Sequence, residues 1–143
     1  ALAEGFAREG ARHTLDTFEV VNPMPIIIHP DPEVAASVVR PLLALYVGGM
    51  GSRERNFYNQ LVTEYGFEDE AAKIQEMYLG GNKRDAEALV PLELLEMCNL
   101  VGPESYVKER IAAFRESGVT NLQIMPVGDD PAALVAQMKE WVS

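Results

Sequence analysis

The strongest constraint on the fold is that strand-like and helix-like segments alternate over residues 99–143 without a hairpin turn between them. The apolar stretch Asn99–Val101 precedes an amphipathic helix pattern at Pro103–Ser117, and a second strand pattern spans Asn121–Val127. A last helix begins after Gly128. Strands that are separated by a helix rather than by a tight turn run parallel and are joined by a right-handed crossover. This part of the chain therefore predicts a parallel α/β fold.

Both of these helix patterns carry an apolar stripe with near-helical spacing. The stripes consist of Val107, Ile111 and Phe114 in the first helix, and of Leu134, Met138 and Trp141 in the second. We expect both stripes to face the sheet.

A third strand is predicted near the start of the chain. The segment from Phe18 to Ile28 ends in three consecutive isoleucines and contains Pro23 and Pro25. Proline cannot donate a hydrogen bond to a strand ladder, so the regular strand is expected to be the short segment Ile26–His29. A continuous β-branched run is typical of a parallel strand that is covered on both faces.

The residues that follow predict a long helix. Asp31 and Pro32 suit the cap and the first position of a helix, which should run to about Val47. Pro41 is expected to kink the helix or to divide it. Its apolar face is predicted from the spacing of Val34, Val38, Leu42 and Leu45. The glycines at 48, 49 and 51 follow a helix, which favours a C-cap turn over a phosphate-binding loop.

Residues 52–97 are expected to form a helical insertion. Helix patterns cover Asn56–Tyr65, Glu68–Leu79 and Arg84–Met97, and no strand pattern interrupts them. The insertion is longer than a simple connection between a strand and the next strand requires. We therefore assign residues 1–143 to one partial domain that contains three strand–helix units and this insertion.

Composition and charge exclude several classes of function. The formal net charge is −10, which opposes binding to the phosphates of nucleic acid and to anionic membranes. No segment approaches the roughly 20 apolar residues that span a bilayer. The single cysteine, Cys98, cannot form an intrachain disulfide, and no His, Cys or acidic pair has metal-ligand spacing. We expect a cytoplasmic protein that binds neither nucleic acid, membrane nor metal.

Three stretches of the sequence together resemble a known family. They read LVGPESYVKERIAAFRESGVTNLQIMP at 100–126, FEVVNPMPIIIHP at 18–30 and RPLLALYVGGMG at 40–51. Their order and spacing are similar to the C-terminal part of luciferase-like monooxygenases, especially the branch that uses the deazaflavin coenzyme F420. The resemblance covers nearly the whole chain.

The resemblance implies the C-terminal portion of a (β/α)8 TIM barrel, with this chain supplying the last three units. A whole barrel takes about 250 residues, so we expect an N-terminal part before Ala1, and with it the catalytic residues, to be missing. The implied function is hydride transfer between F420 and an organic small-molecule substrate. A monooxygenase using flavin mononucleotide and a non-catalytic half-barrel binding module are the alternatives. We expect this chain to pair with a copy of itself or with the missing N-terminal fragment.

Candidate contacts to cofactor or substrate lie in two places. His29 follows a predicted strand at the end where barrel enzymes act, and the alternative is a loop histidine without such a role. Arg53, Arg55 and Asn56 follow the glycine loop, where two arginines beside a helix start could hold an anionic group. A solvated surface loop is the alternative for these three residues.

Overall fold

The computed structural model describes residues 2–142, which form a mixed α/β fold around a small parallel sheet. The strands are β1 (Val21–Ile28), β2 (Leu100–Gly102) and β3 (Asn121–Pro126). The helices are α1 (Leu2–Phe6), α2 (Pro32–Gly49), α3 (Phe57–Glu64), α4 (Glu68–Leu79), α5 (Lys83–Ala88), α6 (Leu92–Cys98), α7 (Glu104–Glu116) and α8 (Pro131–Val142). None of the helices in this described range is long and apolar enough to cross a membrane.

Strand β1 includes both prolines, so the prediction of a strand confined to Ile26–His29 is wrong. On the β3 side, the Ile26 carbonyl accepts a hydrogen bond from the Val127 N–H. On the β2 side, the His29 N–H donates a hydrogen bond to the Gly102 carbonyl. Amide groups of odd-numbered residues in β1 therefore point toward β2. Because β2 pairs only with residues 26–28, the nitrogens of Pro23 and Pro25 face a flank where no ladder forms.

The three strands are parallel, as predicted, and their order in the sheet is β2-β1-β3. The register aligns Ile28 with Gly102 and Ile26 with Pro126, so all three strands end at the same edge. A common edge is what strands that share one direction produce. Three consecutive barrel units would instead give the order β1-β2-β3. The structure does not have this order. The short strand β2 pairs with one flank of β1, and α7 then connects β2 to β3, which pairs with the other flank.

Different helices cover the two faces of the sheet. On one face, Ile26 and Leu100 pack with Val107 of α7 and Met138 of α8. The apolar stripes predicted for α7 and α8 lie in or against this cluster, which confirms their orientation. On the other face, Ile27 and Val101 pack against the helices α2 to α6. This second layer leaves β3 open, since Gln123 and Met125 are exposed there.

Helix α2 buries a different face from the one that its spacing predicted. The buried positions are Ala35, Ala36, Val39, Ala44, Val47 and Gly48. The predicted core positions Val34, Val38, Leu42 and Leu45 are instead 36–49% exposed. The helix is apolar on both sides, so periodicity alone does not decide which side enters the core. Pro41 lies inside the helix without dividing it.

Residues 52–97 contain the helices α3 to α6, and α3 and α4 match their predicted bounds closely. The predicted third helix is two helices, α5 and α6, because Pro91 lacks an amide hydrogen and disfavours helical geometry at Val90. The glycines at the end of α2 serve helix packing. A β-carbon on Gly48 would lie 2.4 Å from Cβ of Tyr78, so only glycine lets α4 approach this closely.

Candidate functional site

The common edge at which the three strands end is the first candidate site. Each strand is followed there by a helix start, α2 after β1, α7 after β2 and α8 after β3. In α/β proteins with parallel strands, ligands bind at the carboxyl ends of the strands. His29 is the first residue after β1, and its side chain is half-buried at this edge. The structure therefore places His29 where the sequence predicted it.

The hydrogen bonds of Asp31 favour one tautomer of His29. Its Nδ1 lies 3.0 Å from the Asp31 nitrogen and 3.1 Å from the Asp31 carbonyl oxygen. That carbonyl already accepts the Ala35 N–H, whereas Nδ1 is the only partner shown for the Asp31 N–H within residues 2–142. The Asp31 N–H is satisfied only by an unprotonated Nδ1. The neutral ring then carries its proton on Nε2, which is left to donate a hydrogen bond.

Two features at this edge had no clear sequence signal. Gly102 accepts the His29 N–H through its carbonyl at a distance of 3.0 Å, which ties the start of the loop after β1 to β2. Its φ of +128° is a conformation that favours glycine. The residue that holds the imidazole, Asp31, was recognised only as a helix cap. It does cap α2, since its Oδ1 accepts the Glu33 N–H at 2.9 Å.

The charge at this edge is predominantly negative. Acidic residues open or precede all three helices: Asp31, Glu33, Glu104, Asp129 and Asp130. The nearby cations are engaged, because Arg40 pairs with Glu33 at 2.6 Å and Lys108 pairs with Glu104 at 2.5 Å. The residues present at this edge therefore suit a neutral group that accepts a hydrogen bond from His29. They do not suit a phosphate.

Arg53 and Arg55 lie at the opposite end of α2 from His29. A helix of 18 residues is about 27 Å long at about 1.5 Å per residue, so the four predicted site residues do not form one site. Both arginines are exposed in a tight turn that is closed by the bridge between Ser52 and Arg55. Within residues 2–142, no hydrogen bond or ion pair involves either guanidinium group.

Asn56 is buried and has a structural role. Its side chain is 1% exposed, and its Nδ2 donates to the carbonyl oxygens of Tyr46 and Val47 at 3.0 and 2.9 Å. Its Oδ1 accepts the Asn59 N–H at 3.1 Å, which caps α3. The amide thus joins the end of α2 to the start of α3. It has no polar atom left for the cofactor contact that the sequence suggested.

A larger opening lies between the open face of the sheet and the helices α2 and α3. This groove of about 810 Å³ is lined by apolar and aromatic side chains, including Pro25, Leu42, Tyr46, Tyr58 and Met125. It borders the N-terminal half of β1 rather than the edge at which the strands end. The groove and His29 are therefore separate features.

Two titratable groups near the groove and α7 have shifted pKa values. Burial raises the pKa of the Cys98 thiol, and the positive charge of Arg110 opposes this shift with a smaller effect. Burial also raises the pKa of the Tyr106 hydroxyl, with a further contribution from the negative charge of Glu96. Neither group gains acidity, so neither is activated as a nucleophile. In the described part of the chain, no group of three or more His, Cys, Asp or Glu side chains is arranged to hold a metal ion.

Comparison with known proteins gives one family and one curated relative. A family model described as luciferase-like monooxygenase matches residues 1–121. A protein of Mycobacterium tuberculosis (strain ATCC 25618 / H37Rv), with the provisional name coenzyme F420-dependent oxidoreductase, is 33% identical over 139 residues. The alignment covers 94% of this chain and 40% of that relative, so the chain spans less than half of the relative's length. No solved structure matches the chain.

Proposed function

The chain belongs to the luciferase-like monooxygenase family, and from this premise we propose that it is part of a deazaflavin-dependent oxidoreductase. The similarity to a relative named for coenzyme F420 supports this choice over flavin mononucleotide. When bound, the deazaflavin supplies the hydride chemistry. The protein positions the coenzyme and substrate and keeps water away from them. We propose that the whole enzyme includes residues beyond this chain, and the length of the relative, about two and a half times that of the chain, supports this.

We propose His29 as the contact that this chain makes to the coenzyme ring or to the substrate. The observation that carries this assignment is the hydrogen bond from the Asp31 N–H to Nδ1, which directs the ring proton to Nε2. An N–H donor at the end of a parallel strand suits a carbonyl oxygen. The acidic surroundings disfavour the coenzyme's phosphate, so the phosphate contacts belong to residues outside this edge.

We further propose that β1 and β3 are neighbouring strands in the wall of a TIM barrel. The α7–α8 layer would lie outside the barrel, and the uncovered face of β3 would point inward. The helices α2 to α6, which pack on that same face of the sheet at Ile27, depart from a regular barrel, whose helices all lie outside. The exposure of Gln123 and Met125 on that face supports this arrangement. The short strand β2 would then be an addition beside β1 rather than a full barrel unit.

The test uses the longer protein with His29→Ala and His29→Gln variants. Fluorescence titration with F420 and with flavin mononucleotide measures Kd, and steady-state kinetics separates KM from kcat. Loss of one neutral hydrogen bond costs about 1 kcal/mol, so His29→Ala should weaken binding of coenzyme or substrate about five-fold. His29→Gln keeps an N–H donor and should recover part of the loss.

Arg53 and Arg55 provide the matched control for this experiment. The Arg53→Ala/Arg55→Ala double variant alters the far end of α2, and we expect coenzyme ring binding to be unchanged. Equal Kd, KM and kcat for the His29→Ala variant and the unaltered protein would contradict the assignment of His29. Tight binding of flavin mononucleotide without binding of F420 would favour the monooxygenase alternative.

A further inference from the structure

A cavity smaller than the groove lies between α7, α8 and the first half of β3. Its volume is about 400 Å³, and we call it the α7–α8 cavity. Its most buried lining residues are Ile111 and Met138, which are 8% and 4% exposed. The other apolar side chains that line it are Phe114, Val119, Leu122, Ile124, Val135 and Val142. Cavities of this size with mainly apolar walls are typical binding sites for small molecules.

The α7–α8 cavity is separate from His29 and from the groove. It is lined by Asn121 and Leu122 at the start of β3, whereas His29 lies at the edge where the strands end. Within the described range it shares one lining residue, Phe114, with the groove beside α2 and α3. The coenzyme or substrate contact proposed for His29 therefore does not account for this cavity.

The charged side chains at the α7–α8 cavity are positive. Among the described residues, Arg115 of α7 and Lys139 of α8 line it, and no Asp or Glu does so. This is unusual in a chain with 22 acidic and 12 basic residues. Glu19 does not line the cavity, and its carboxylate accepts a hydrogen bond from the lining residue Asn121 at 2.9 Å. Local positive charge beside apolar walls favours an apolar ligand that carries a negative group.

Arg115 is held at the cavity and keeps hydrogen-bond donors available. Its Nη2 donates to the Val142 carbonyl at 2.7 Å, which ties the end of α7 to the end of α8. This is the only hydrogen bond of the guanidinium group with residues 2–142, and the side chain is exposed. A guanidinium group has five N–H donors and binds a carboxylate through two parallel hydrogen bonds. The group can therefore bind a carboxylate without releasing α8.

The walls of the α7–α8 cavity favour an aromatic ligand body. Phe114 contributes a ring and Met138 a thioether, and both groups pack favourably against aromatic rings. The polar lining residues Thr120 and Asn121 already make hydrogen bonds to the segment that precedes β1. The ligand body is therefore expected to be apolar apart from its negative group.

We propose that the α7–α8 cavity binds a small arylalkyl carboxylate, with the ring between α7, α8 and β3 and the carboxylate at Arg115 and Lys139. The inference does not depend on the coenzyme or on His29. Each cation also lies in the last turn of its helix, where positive charge stabilises the helix end. A role confined to the helix ends would give the cavity no preference for an anion, so the charge of the ligand separates the two roles.

The test compares three probes of the same shape and different charge: 4-phenylbutyrate, 4-phenyl-1-butanol and 4-phenylbutylamine. Isothermal titration calorimetry of the 143-residue chain near neutral pH measures each Kd. We expect the carboxylate to bind about ten-fold more tightly than the alcohol, because hydrogen bonds between charged groups are stronger than neutral ones. The amine should bind most weakly. Unspecific adsorption to a chain of net charge −10 would instead favour the amine.

Variants of Arg115 test the contact to the carboxylate. Arg115→Gln keeps an N–H donor but removes the charge, so it should weaken binding of 4-phenylbutyrate about ten-fold and leave that of the alcohol unchanged. Arg115→Lys keeps the charge and should recover part of the loss. Arg53→Gln is the matched control, because Arg53 is an exposed arginine outside the cavity. It should change neither Kd.

Methyl NMR spectra locate the bound carboxylate. We expect the largest shifts at Ile124 and Met138 in the cavity, and none at Leu61 and Met125 in the groove. Largest shifts in the groove would overturn the proposal. Equal affinity for carboxylate and alcohol, an unchanged Kd in Arg115→Gln, or no binding at millimolar probe concentrations would also overturn it. None of these measurements involves coenzyme, so their failure is distinguishable from failure of the proposed function.

Discussion

At the scale of single residues, Asn56 and His29 have different environments, since Asn56 is buried between two helices and His29 is half-buried at the edge where the strands end. His29 could be placed because a residue after a buried parallel strand lies at the edge where such strands end. Asn56 could not be interpreted, because its partners are carbonyls at the end of another helix, ten and nine residues earlier. The distance between Arg53 and His29 could not be predicted from the sequence either, since it depends on α2 being one continuous helix.

The structural role of Asn56 predicts a loss of stability without a loss of binding. Asn56→Ala removes three hydrogen bonds and leaves one buried backbone group, of Val47, and two partly buried ones, of Tyr46 and Asn59, without these partners. We expect the free energy of unfolding to fall by about 2–4 kcal/mol, measured by urea denaturation. Gln60→Ala, at an exposed position of the same helix, should change it by less than about 0.5 kcal/mol. A similar small effect for both variants would contradict the capping role.

The raised pKa of Cys98 predicts a slow thiol. Burial favours the neutral form in the folded protein, so the thiolate that reacts with alkylating reagents is scarce near neutral pH. Labelling at about pH 7.5 should be slower in the folded protein than in urea, where the thiol has its ordinary pKa. Because the folded pKa is raised, this group's contribution to stability is fully present below the unfolded pKa. It is lost as the pH rises through the folded value. Equal labelling rates in the two states would disprove this account.

At the scale of helices and strands, existence and direction were predictable, whereas faces and ends were not. The parallel direction followed from the absence of hairpin turns. The extent of β1 depends on which flank each amide faces, and this is set by pairing with a strand about 100 residues away. The buried side of α2 depends on the helices α4 to α6, because both sides of α2 are apolar.

The close approach of α2 and α4 predicts two glycine variants with different rescue behaviour. A β-carbon at Gly48 would meet Cβ of Tyr78 at 2.4 Å, whereas one at Gly49 would meet the ring atom Cε1 at 2.4 Å. Each alanine substitution should cost about 1–3 kcal/mol through overpacking. Tyr78→Ala removes the ring and keeps Cβ, so it should relieve Gly49→Ala but not Gly48→Ala. Double-mutant cycles by urea denaturation measure this difference, and equal rescue of both would contradict the packing geometry.

At the scale of the whole molecule, the parallel α/β class and the family were accessible from the sequence, but the sheet order was not. In the observed order β2-β1-β3, the strand β2 has three residues and pairs only with Ile26–Ile28. A short pattern such as Leu100–Gly102 carries no signal for which flank it joins. Charge, by contrast, is a property of the entire chain and needs no coordinates.

The net charge of −10 predicts no affinity for nucleic acid. Binding to a phosphate backbone requires clustered cations, and two of this chain's cations, Arg40 and Lys108, are already paired with carboxylates. In fluorescence anisotropy with a labelled DNA duplex at about 0.15 M salt, we expect no change up to the highest protein concentration tested. Dissociation constants in the micromolar range would show that a basic surface has been overlooked.

The position of Pro23 and Pro25 in β1 also controls how the sheet can grow. Their nitrogens face the flank of β1 that β2 does not cover. Because proline nitrogens carry no hydrogen, a strand of another chain cannot form a complete hydrogen-bond ladder along this part of β1. The outer edge of β2 offers only three residues as a template. A further strand can therefore pair most readily with the free edge of β3. This holds both for a neighbouring strand during folding and for a misfolded copy during aggregation. Fibril formation, if it begins from this native sheet, would add strands in one direction only.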